Sequence, residues 1–114
     1  MSVERSYSPE RCDLVWMTFD PQRGHEQRGH RPGFVVTPRR FNELTGLAFI
    51  CPITGRARGY PFEVKLPESA PVQGVIMVDQ MRSLDWRERK PRYAGRCADV
   101  LQEVVERLMS IVED

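Results

Sequence analysis

The chain has 114 residues, with 17 basic and 16 acidic side chains and 40% hydrophobic residues. This length predicts a single domain over residues 1–114, because two domains would each be too small to bury an adequate core. No apolar run approaches the roughly 20 residues that cross a bilayer, and the first five residues include an acid and lack an apolar core. We therefore expect a soluble cytoplasmic protein with neither a membrane span nor a signal peptide.

Charge is unevenly distributed along the chain. Residues 1–96 carry 16 basic and 11 acidic side chains, whereas residues 97–114 carry one basic and five acidic side chains. Fifteen of the 17 basic residues are arginine, which suits phosphate binding but is also what a GC-rich genome encodes. A basic body with an acidic final segment is compatible with a nucleic-acid partner.

The three cysteines predict neither a disulfide framework nor a metal site. Cys12, Cys51 and Cys97 are widely spaced and form no CxxC motif. His25 and His30 lie five residues apart in a glycine-bearing segment, without a nearby cysteine to complete a zinc set. Cys51 lies within the most apolar run, so we expect a buried, inert thiol rather than a nucleophile. No metal or cofactor is expected.

Hydrophobic patterning predicts short strands separated by turns. Residues 14–19, 32–37, 47–54, 62–66 and 74–80 are predicted strands, and 47–54 is apolar enough to be buried on both faces. A short helical turn is expected over 38–44, ended by Gly46. Residues 22–31 form a polar loop, and 55–59 form a flexible basic link.

The C-terminal segment predicts an amphipathic helix. Apolar residues recur at three- and four-residue steps from Leu101 to Val112, and Asp99 is the expected N-cap. The whole pattern predicts a mainly β, α+β fold: a five- or six-stranded barrel with a short internal helix, closed by the terminal helix.

One set of candidate site residues remains once the common nucleotide-binding motifs are excluded. No phosphate loop of the GxxxxGK[ST] type and no dinucleotide fingerprint occurs. Glu26, His30 and Arg31 share the polar loop, and Thr54 and Asp79 are each expected to end a strand. An arginine near a hydroxyl and a carboxylate suits phosphoryl chemistry on RNA. If these residues have no catalytic role, Arg31 is expected to form a salt bridge at the surface, and the Thr54 hydroxyl is expected to hydrogen-bond a backbone group at the end of its strand.

Three ordered blocks of sequence resemble the MazF/PemK/Kid toxin family, most closely its MazF branch. Residues 13–16 (DLVW) and 19–32 (FDPQRGHEQRGHRP) resemble the family's opening. Residues 51–54 (CPIT) and 59–64 (GYPFEV) match its second block, and 79–87 (DQMRSLDWR) its third. The resemblance covers roughly residues 12–112.

The resemblance implies the toxin of a type II toxin–antitoxin pair with an SH3-like barrel fold. Such toxins are homodimeric, sequence-specific endoribonucleases that cut single-stranded RNA, chiefly mRNA, without a metal ion. The adjacent ribose 2′-hydroxyl attacks, leaving a 2′,3′-cyclic phosphate and a 5′-hydroxyl. A cognate MazE-like antitoxin, whose disordered tail covers the RNA groove, is the implied inhibitor.

The family's essential residues can be carried over by position. The resemblance places the catalytic arginine at Arg31, the partner threonine at Thr54 and the loop acid at Glu26. The Kid branch uses an arginine and an aspartate two residues apart, but here Met77 precedes Asp79, which argues against a catalytic Asp79. The remaining basic and polar residues of the blocks are expected to bind substrate: His25, Arg28, His30, Arg56, Arg58, Asp79, Gln80, Arg82 and Arg87.

Two alternatives to the ribonuclease remain. One is a gyrase-poisoning toxin, which shares the barrel and acts by binding a protein. The other is a nucleic-acid-binding barrel without catalysis. A pure binder has no need of Arg31 and Thr54 together in a cleft, so their geometry separates the alternatives.

Overall fold

The computed structural model describes residues 7–19 and 30–113. Seven strands, three α-helices and two 3₁₀ turns are found in these ranges. They are β1 (Asp13–Thr18), β2 (His30–Val35), α1 (Arg39–Thr45), β3 (Leu47–Thr54), β4 (Glu63–Lys65), β5 (Val75–Met77), a 3₁₀ turn (Val78–Gln80), β6 (Arg82–Asp85), α2 (Trp86–Arg89), β7 (Arg92–Arg96), a 3₁₀ turn (Ala98–Val100) and α3 (Leu101–Val112). The mainly β, α+β class predicted from the sequence is confirmed.

The strands form one antiparallel sheet in the order β4-β5-β3-β2-β1-β7. β6 pairs with the first half of β3, and β5 pairs with its last two residues, so β3 spans the sheet. The prediction of a closed barrel of five or six strands is wrong in this respect. Among residues 7–19 and 30–113 the sheet has seven strands and is not closed, since β4 and β7 occupy its two ends.

The predicted helical turn and the central strand match the structure. α1 ends at Thr45, and Gly46 follows with a φ of 76°, a left-handed conformation that glycine adopts without strain. β3 has the predicted bounds and is buried on both faces: Ile50 packs in one apolar cluster and Cys51 in another. β1, β2 and β4 differ from prediction by one or two residues at their ends.

Two apolar clusters lie on opposite faces of the sheet. Leu14 and Phe34 belong to the cluster on one face, and Val15 and Val35 belong to the cluster on the other. This division follows from the strand period of two, which points successive side chains in opposite directions. β1, β2 and β3 each contribute to both clusters, whereas β4 and β5 contribute Val64 and Ile76 to the first one.

The C-terminal helix packs on the sheet through one side only. Val104 is fully buried, and Leu101 and Leu108 pack against the same cluster, as the amphipathic pattern predicts. The N-cap prediction is wrong: Asp99 lies within the preceding 3₁₀ turn, and α3 begins without a side-chain cap. No helix in the described ranges is long and apolar enough to cross a membrane.

Candidate active site

A cleft of about 290 Å³ opens where β2, β3, β4 and β5 meet. Its walls come from two strand ends, the link after β3 and the 3₁₀ turn after β5. The lining residues are Arg31, Thr54, Arg56, Arg58, Tyr60, Glu63, Met77, Asp79 and Gln80. Six of these nine are residues that the sequence singled out, so the structure brings half of the twelve predicted site residues together.

Arg31 and Thr54 line the same cleft. The β2–β3 pairing ends at Gly33, which lies opposite Pro52. If the same antiparallel register is continued by two residues, Arg31 falls opposite Thr54, and residues opposite each other on two strands project from the same face. The exposed Arg31 guanidinium makes no hydrogen bond or ion pair with any described residue. It is thus available to an anion in the cleft.

Thr54 is held in place through its backbone. Gly74, with a φ of 129°, packs on the Thr54 carbonyl oxygen so closely that a Cβ at this position would lie 2.4 Å from that oxygen. Only glycine fits both this conformation and this approach. The Thr54 hydroxyl accepts a hydrogen bond of 3.2 Å from the Arg56 N–H, which ties the strand end to the basic link.

The basic link at residues 55–59 is anchored at its far end by Glu63. Both carboxylate oxygens of Glu63 accept from the Arg58 N–H at 3.1 Å, and Oε1 also accepts from the Gly59 N–H at 3.1 Å. The link is therefore more constrained than the glycine content predicts. Glu63 was not among the predicted site residues. Its position four residues after Gly59 is the feature of the sequence that could have indicated this contact.

Asp79 and Gln80 line the opposite wall. The prediction that Asp79 ends a strand is wrong, because β5 stops at Met77 and residues 78–80 form a 3₁₀ turn. The turn redirects the chain so that β5 and β6 can both pair with β3. Met77, where the Kid branch has an arginine, lies opposite Glu63 in the β4–β5 pair and also lines the cleft.

Three of the predicted substrate-binding residues lie outside the cleft wall. His30 precedes Arg31 in β2, and its imidazole lies parallel to the Trp16 indole with ring centroids 6.1 Å apart. Arg82 donates to the Phe19 carbonyl. The Arg87 guanidinium lies 5.0 Å from the centroid of the Trp86 ring and donates to the carbonyl of Glu43. Each of these side chains therefore contacts another part of the fold and does not line the cleft.

Three further predicted residues, His25, Glu26 and Arg28, lie outside the described residues. The predicted loop at 22–31 is therefore described only for its last two members, which begin β2. Among residues 7–19 and 30–113, no three His, Cys, Asp or Glu side chains are close enough together to hold a metal ion.

The Cys51 thiol of β3 is buried, as the sequence predicted. Burial raises the pKa of Cys51 to about 12, and the negative charge of Asp79 acts in the same direction. This direction favours the protonated thiol over the nucleophilic thiolate. That Cys51 is unreactive stays a prediction.

The cleft carries more positive than negative charge. Arg31, Arg56 and Arg58 supply three guanidinium groups, whereas Asp79 and Glu63 supply two carboxylates. The Glu63 oxygens are occupied by backbone N–H groups, which leaves Asp79 as the acid without a hydrogen bond from a described residue. Guanidinium groups that converge with a hydroxyl on one small cleft can bind a phosphodiester and stabilise charge that develops on it.

Comparison with known proteins identifies the family of this fold and site. The family model described as PemK-like, MazF-like toxin of type II toxin–antitoxin systems matches residues 10–112. The endoribonuclease toxin MazF of Escherichia coli K12 is 37% identical over 106 residues, which cover 93% of this chain and 95% of that protein.

Solved structures agree with this match. The crystal structure of MazF (Form-I) from Deinococcus radiodurans is 48% identical, with a TM-score of 0.85 over 96% of this chain and 100% of that one. The MazE–MazF (Form-II) structure from the same organism is 44% identical, with a TM-score of 0.81 over 94% and 97%. The chain belongs to the PemK-like, MazF-like toxin family of type II toxin–antitoxin systems. It is a MazF-like endoribonuclease, and gyrase inhibition is not favoured.

Proposed function

We propose that this toxin cuts single-stranded RNA at specific sequences, without a metal ion, in the cleft that contains Arg31 and Thr54. The observation that carries the proposal is that Arg31 and Thr54 line the same small cleft. Arg56 and Arg58 add positive charge on the same wall. A cleft of this composition suits an RNA phosphodiester and gives a chemical reason for the endoribonuclease activity.

The nucleophile in the proposed reaction belongs to the substrate. The 2′-hydroxyl attacks the adjacent phosphorus and loses its proton, and the bond from phosphorus to the 5′ oxygen breaks as that oxygen gains a proton. The products are a 2′,3′-cyclic phosphate and a 5′-hydroxyl. Because nucleophile and target are already joined, no metal-bound water is required. DNA lacks the 2′-hydroxyl and is not cut.

Arg31 and Thr54 have separate roles in this proposal. The Arg31 guanidinium stabilises the negative charge that builds up on the phosphoryl oxygens, because fixed N–H donors of a cation interact most strongly with an oxygen as it becomes anionic. The Thr54 hydroxyl donates to a nonbridging oxygen. Glu26 orients Arg31 or contacts a base. Arg28, Arg56, Arg58, Asp79 and Gln80 bind the flanking RNA, and Arg82, Arg87, His25 and His30 belong to the wider substrate surface.

We also propose that the toxin is a cytoplasmic homodimer inhibited by a MazE-like antitoxin. The Deinococcus radiodurans MazE–MazF structures support the antitoxin, because their MazF chains are similar to this one over almost its whole length. Four apolar side chains of α3 remain exposed and support an interface between subunits: Val105, Met109, Ile111 and Val112. Light scattering should give twice the 13.2 kDa mass of one chain.

The test is a cleavage assay in EDTA. Purified toxin is incubated with a long single-stranded RNA and with the DNA of the same sequence, and the cut positions are read by primer extension. The proposal predicts discrete RNA cuts, intact DNA and 2′,3′-cyclic phosphate ends. Folded, dimeric protein that leaves RNA intact would contradict it.

A further inference from the structure

Two of the three free cysteines are neighbours at the end of the β1–β7 pair. Asp13 lies opposite Arg96 in this antiparallel pair, so the next position outwards sets Cys12 opposite Cys97. The Cys97 N–H donates a hydrogen bond of 2.9 Å to the Cys12 carbonyl, so the two chains remain in contact at this position. The cysteine spacing in the sequence does not indicate this pair, because it arises from contact between the first and the last strand.

The backbone spacing of the pair suits a disulfide. Opposite residues in an antiparallel pair have Cα atoms about 4.5–5.5 Å apart, and disulfides join residues whose Cα atoms are about 4.4–6.8 Å apart. Cys12 and Cys97 pack in the same apolar cluster, so both side chains lie on one face of the sheet. Cys51 packs in that cluster as well, but it lies on β3, which β2 separates from β1. The geometry therefore pairs Cys12 with Cys97 rather than with Cys51.

The backbone at Cys12 is held from both sides. Its φ of 76° is a left-handed conformation, which is uncommon for a residue other than glycine. The Cys12 N–H donates to the Val35 carbonyl at 2.8 Å, and the Cys12 carbonyl accepts the bond from Cys97. These two bonds fix Cys12 between β2 and the end of β7, so a link to Cys97 requires little movement of the backbone.

The two thiols differ in access to solvent. Cys97 is 7% exposed and Cys12 is 2% exposed, so a small uncharged oxidant reaches Cys97 first. Burial raises the pKa of the Cys12 thiol, whereas the neighbouring Arg96 and Arg11 guanidinium groups act in the opposite direction. Because the thiolate is the reactive form, we expect the pair to react slowly while the fold is intact.

We propose that a peroxide oxidises Cys12 and Cys97 to an intramolecular disulfide, which a dithiol reductant reverses. The Cys97 thiolate attacks one peroxide oxygen and the O–O bond breaks. The released hydroxide takes up the proton that the thiol lost, which leaves Cys97 as a sulfenic acid. The Cys12 sulfur then attacks the Cys97 sulfur, the S–O bond breaks, and hydroxide leaves as water with the Cys12 proton. Two thiols and one hydrogen peroxide thus give one disulfide and two water molecules.

The disulfide would tie the start of β1 to the segment that leads into α3. Cys97 lies directly before the 3₁₀ turn that precedes this helix. The link closes a loop that contains most of the chain, and long closed loops restrict the unfolded state the most. Neither cysteine lines the cleft. We therefore expect oxidation to stabilise the fold and to leave RNA cleavage unchanged. In a reducing compartment the pair stays as two thiols, so the link marks exposure to an oxidant.

The experiment compares wild type with Cys12→Ala and Cys97→Ala, and Cys51→Ala is the matched control. Each protein is treated with hydrogen peroxide, which catalase then removes, or with dithiothreitol. Remaining thiols are blocked with iodoacetamide in guanidinium, and tryptic peptides are analysed by mass spectrometry. Trypsin releases each cysteine in a separate peptide, residues 12–23, 41–56 and 97–107. Thermal unfolding and RNA cleavage are measured on the same treated proteins before blocking.

We expect peroxide to join peptides 12–23 and 97–107 in wild type and in Cys51→Ala, with two hydrogen atoms fewer than the separate peptides. The Tm of these two proteins should rise by at least about 5 °C, and dithiothreitol should reverse both changes. Cys12→Ala and Cys97→Ala should give no joined peptide and no such rise, which also accounts for any effect of peroxide on methionine. Wild type should cleave RNA at the same rate in both states.

Two results would overturn the inference. If peroxide leaves peptides 12–23 and 97–107 separate in wild type, or joins either of them to 41–56, Cys12 and Cys97 do not form the pair. This readout uses wild type alone and does not depend on the folding of a variant. A joined protein whose Tm equals that of the reduced form would show that the link does not stabilise the fold. Reduced wild type that leaves RNA intact would contradict the proposed function but not the disulfide, which is detected without RNA.

Discussion

The Glu63 carboxylate accepts the Arg58 backbone N–H with both of its oxygens, each at 3.1 Å. This contact fixes a glycine-flanked segment that would otherwise be free to move, and it does so at the wall of the proposed active site. A strand residue thus orders the loop that carries Arg56 and Arg58. We infer that Glu63 acts on the substrate through the loop, as a positioning residue.

Replacing Glu63 should therefore weaken RNA binding more than the chemical step. In Glu63→Ala the Arg58 and Gly59 N–H groups lose a charged acceptor, worth about 1.5–3 kcal/mol, and the loop must be ordered by the substrate instead. We expect KM for RNA to rise about tenfold or more while kcat changes less. Steady-state cleavage of a short RNA measures both. Glu68→Ala, in the exposed turn before β5, is the control and should match wild type. An equal loss in the two variants would contradict this role.

Removing the Thr54 hydroxyl should slow cleavage while the backbone stays in place. Thr54→Val keeps the shape but loses the hydrogen bond to a charged phosphoryl oxygen, so we expect kcat/KM to fall roughly 10- to 100-fold. Thr54→Ser retains a hydroxyl and should recover most of the rate. Single-turnover cleavage rates at the mapped RNA site measure the difference between the two variants. Similar rates for the valine and serine variants would show that the hydroxyl has no part in the reaction.

The buried thiol gives a prediction about pH. The pKa of Cys51 is about 12 in the folded protein against 9.0 for the free side chain. The unfolded chain therefore loses this proton first, and the contribution of Cys51 to stability falls as pH rises from about 9 to 12. At about pH 8, iodoacetamide should leave Cys51 unmodified in folded protein and alkylate it in guanidinium, as read by mass spectrometry. Rapid alkylation of the folded protein would contradict this environment.

Asn42 should be required for stability rather than for activity. Its buried side-chain amide donates to the carbonyls of Pro9 at 2.9 Å and Thr37 at 3.0 Å and accepts from the Thr37 hydroxyl at 2.6 Å. Asn42→Asp replaces both donors with an acceptor that faces two carbonyl oxygens. Urea denaturation should show a loss of about 1–3 kcal/mol in the free energy of unfolding.

The neighbouring residue supplies the control for that comparison. Glu43→Gln makes the opposite exchange on the exposed side of α1 and should change the free energy of unfolding by less than about 0.5 kcal/mol. If the two variants are equally stable, the Asn42 hydrogen bonds do not hold the first helix to the N-terminal segment.

The elements that were predicted from the sequence are those with a strong apolar pattern. β3 and α3 fall into this class because their burial requires an apolar face. β6, α2 and β7 were missed for the opposite reason: most of their residues are exposed, and in β6 only Leu84 is buried. β6 pairs with β3 and β7 pairs with β1. Their positions therefore depend on tertiary contacts, which the local sequence pattern does not show.

The prediction of the site residues was limited in the same way. Arg31 and Thr54 were identified through the resemblance, and the structure adds the cleft that both of them line. Arg87 was grouped with the cleft arginines because of its charge and sequence block. Its position depends on α2, whose Asp85 cap and Trp86 contact direct it elsewhere. Glu63 was missed because its part in the site comes from hydrogen bonds to the Arg58 and Gly59 N–H groups, which the alternation of apolar and charged residues does not reveal.

The most direct test of the account is the rate of RNA cleavage by Arg31→Ala beside Arg40→Ala. Both variants remove one exposed arginine, but only Arg31 lies in the cleft. With EDTA present, we predict that Arg31→Ala loses at least about 100-fold in single-turnover rate while Arg40→Ala cleaves like wild type. Circular dichroism should show both variants folded. If folded Arg31→Ala cleaves RNA at the wild-type rate, the reaction does not take place in this cleft.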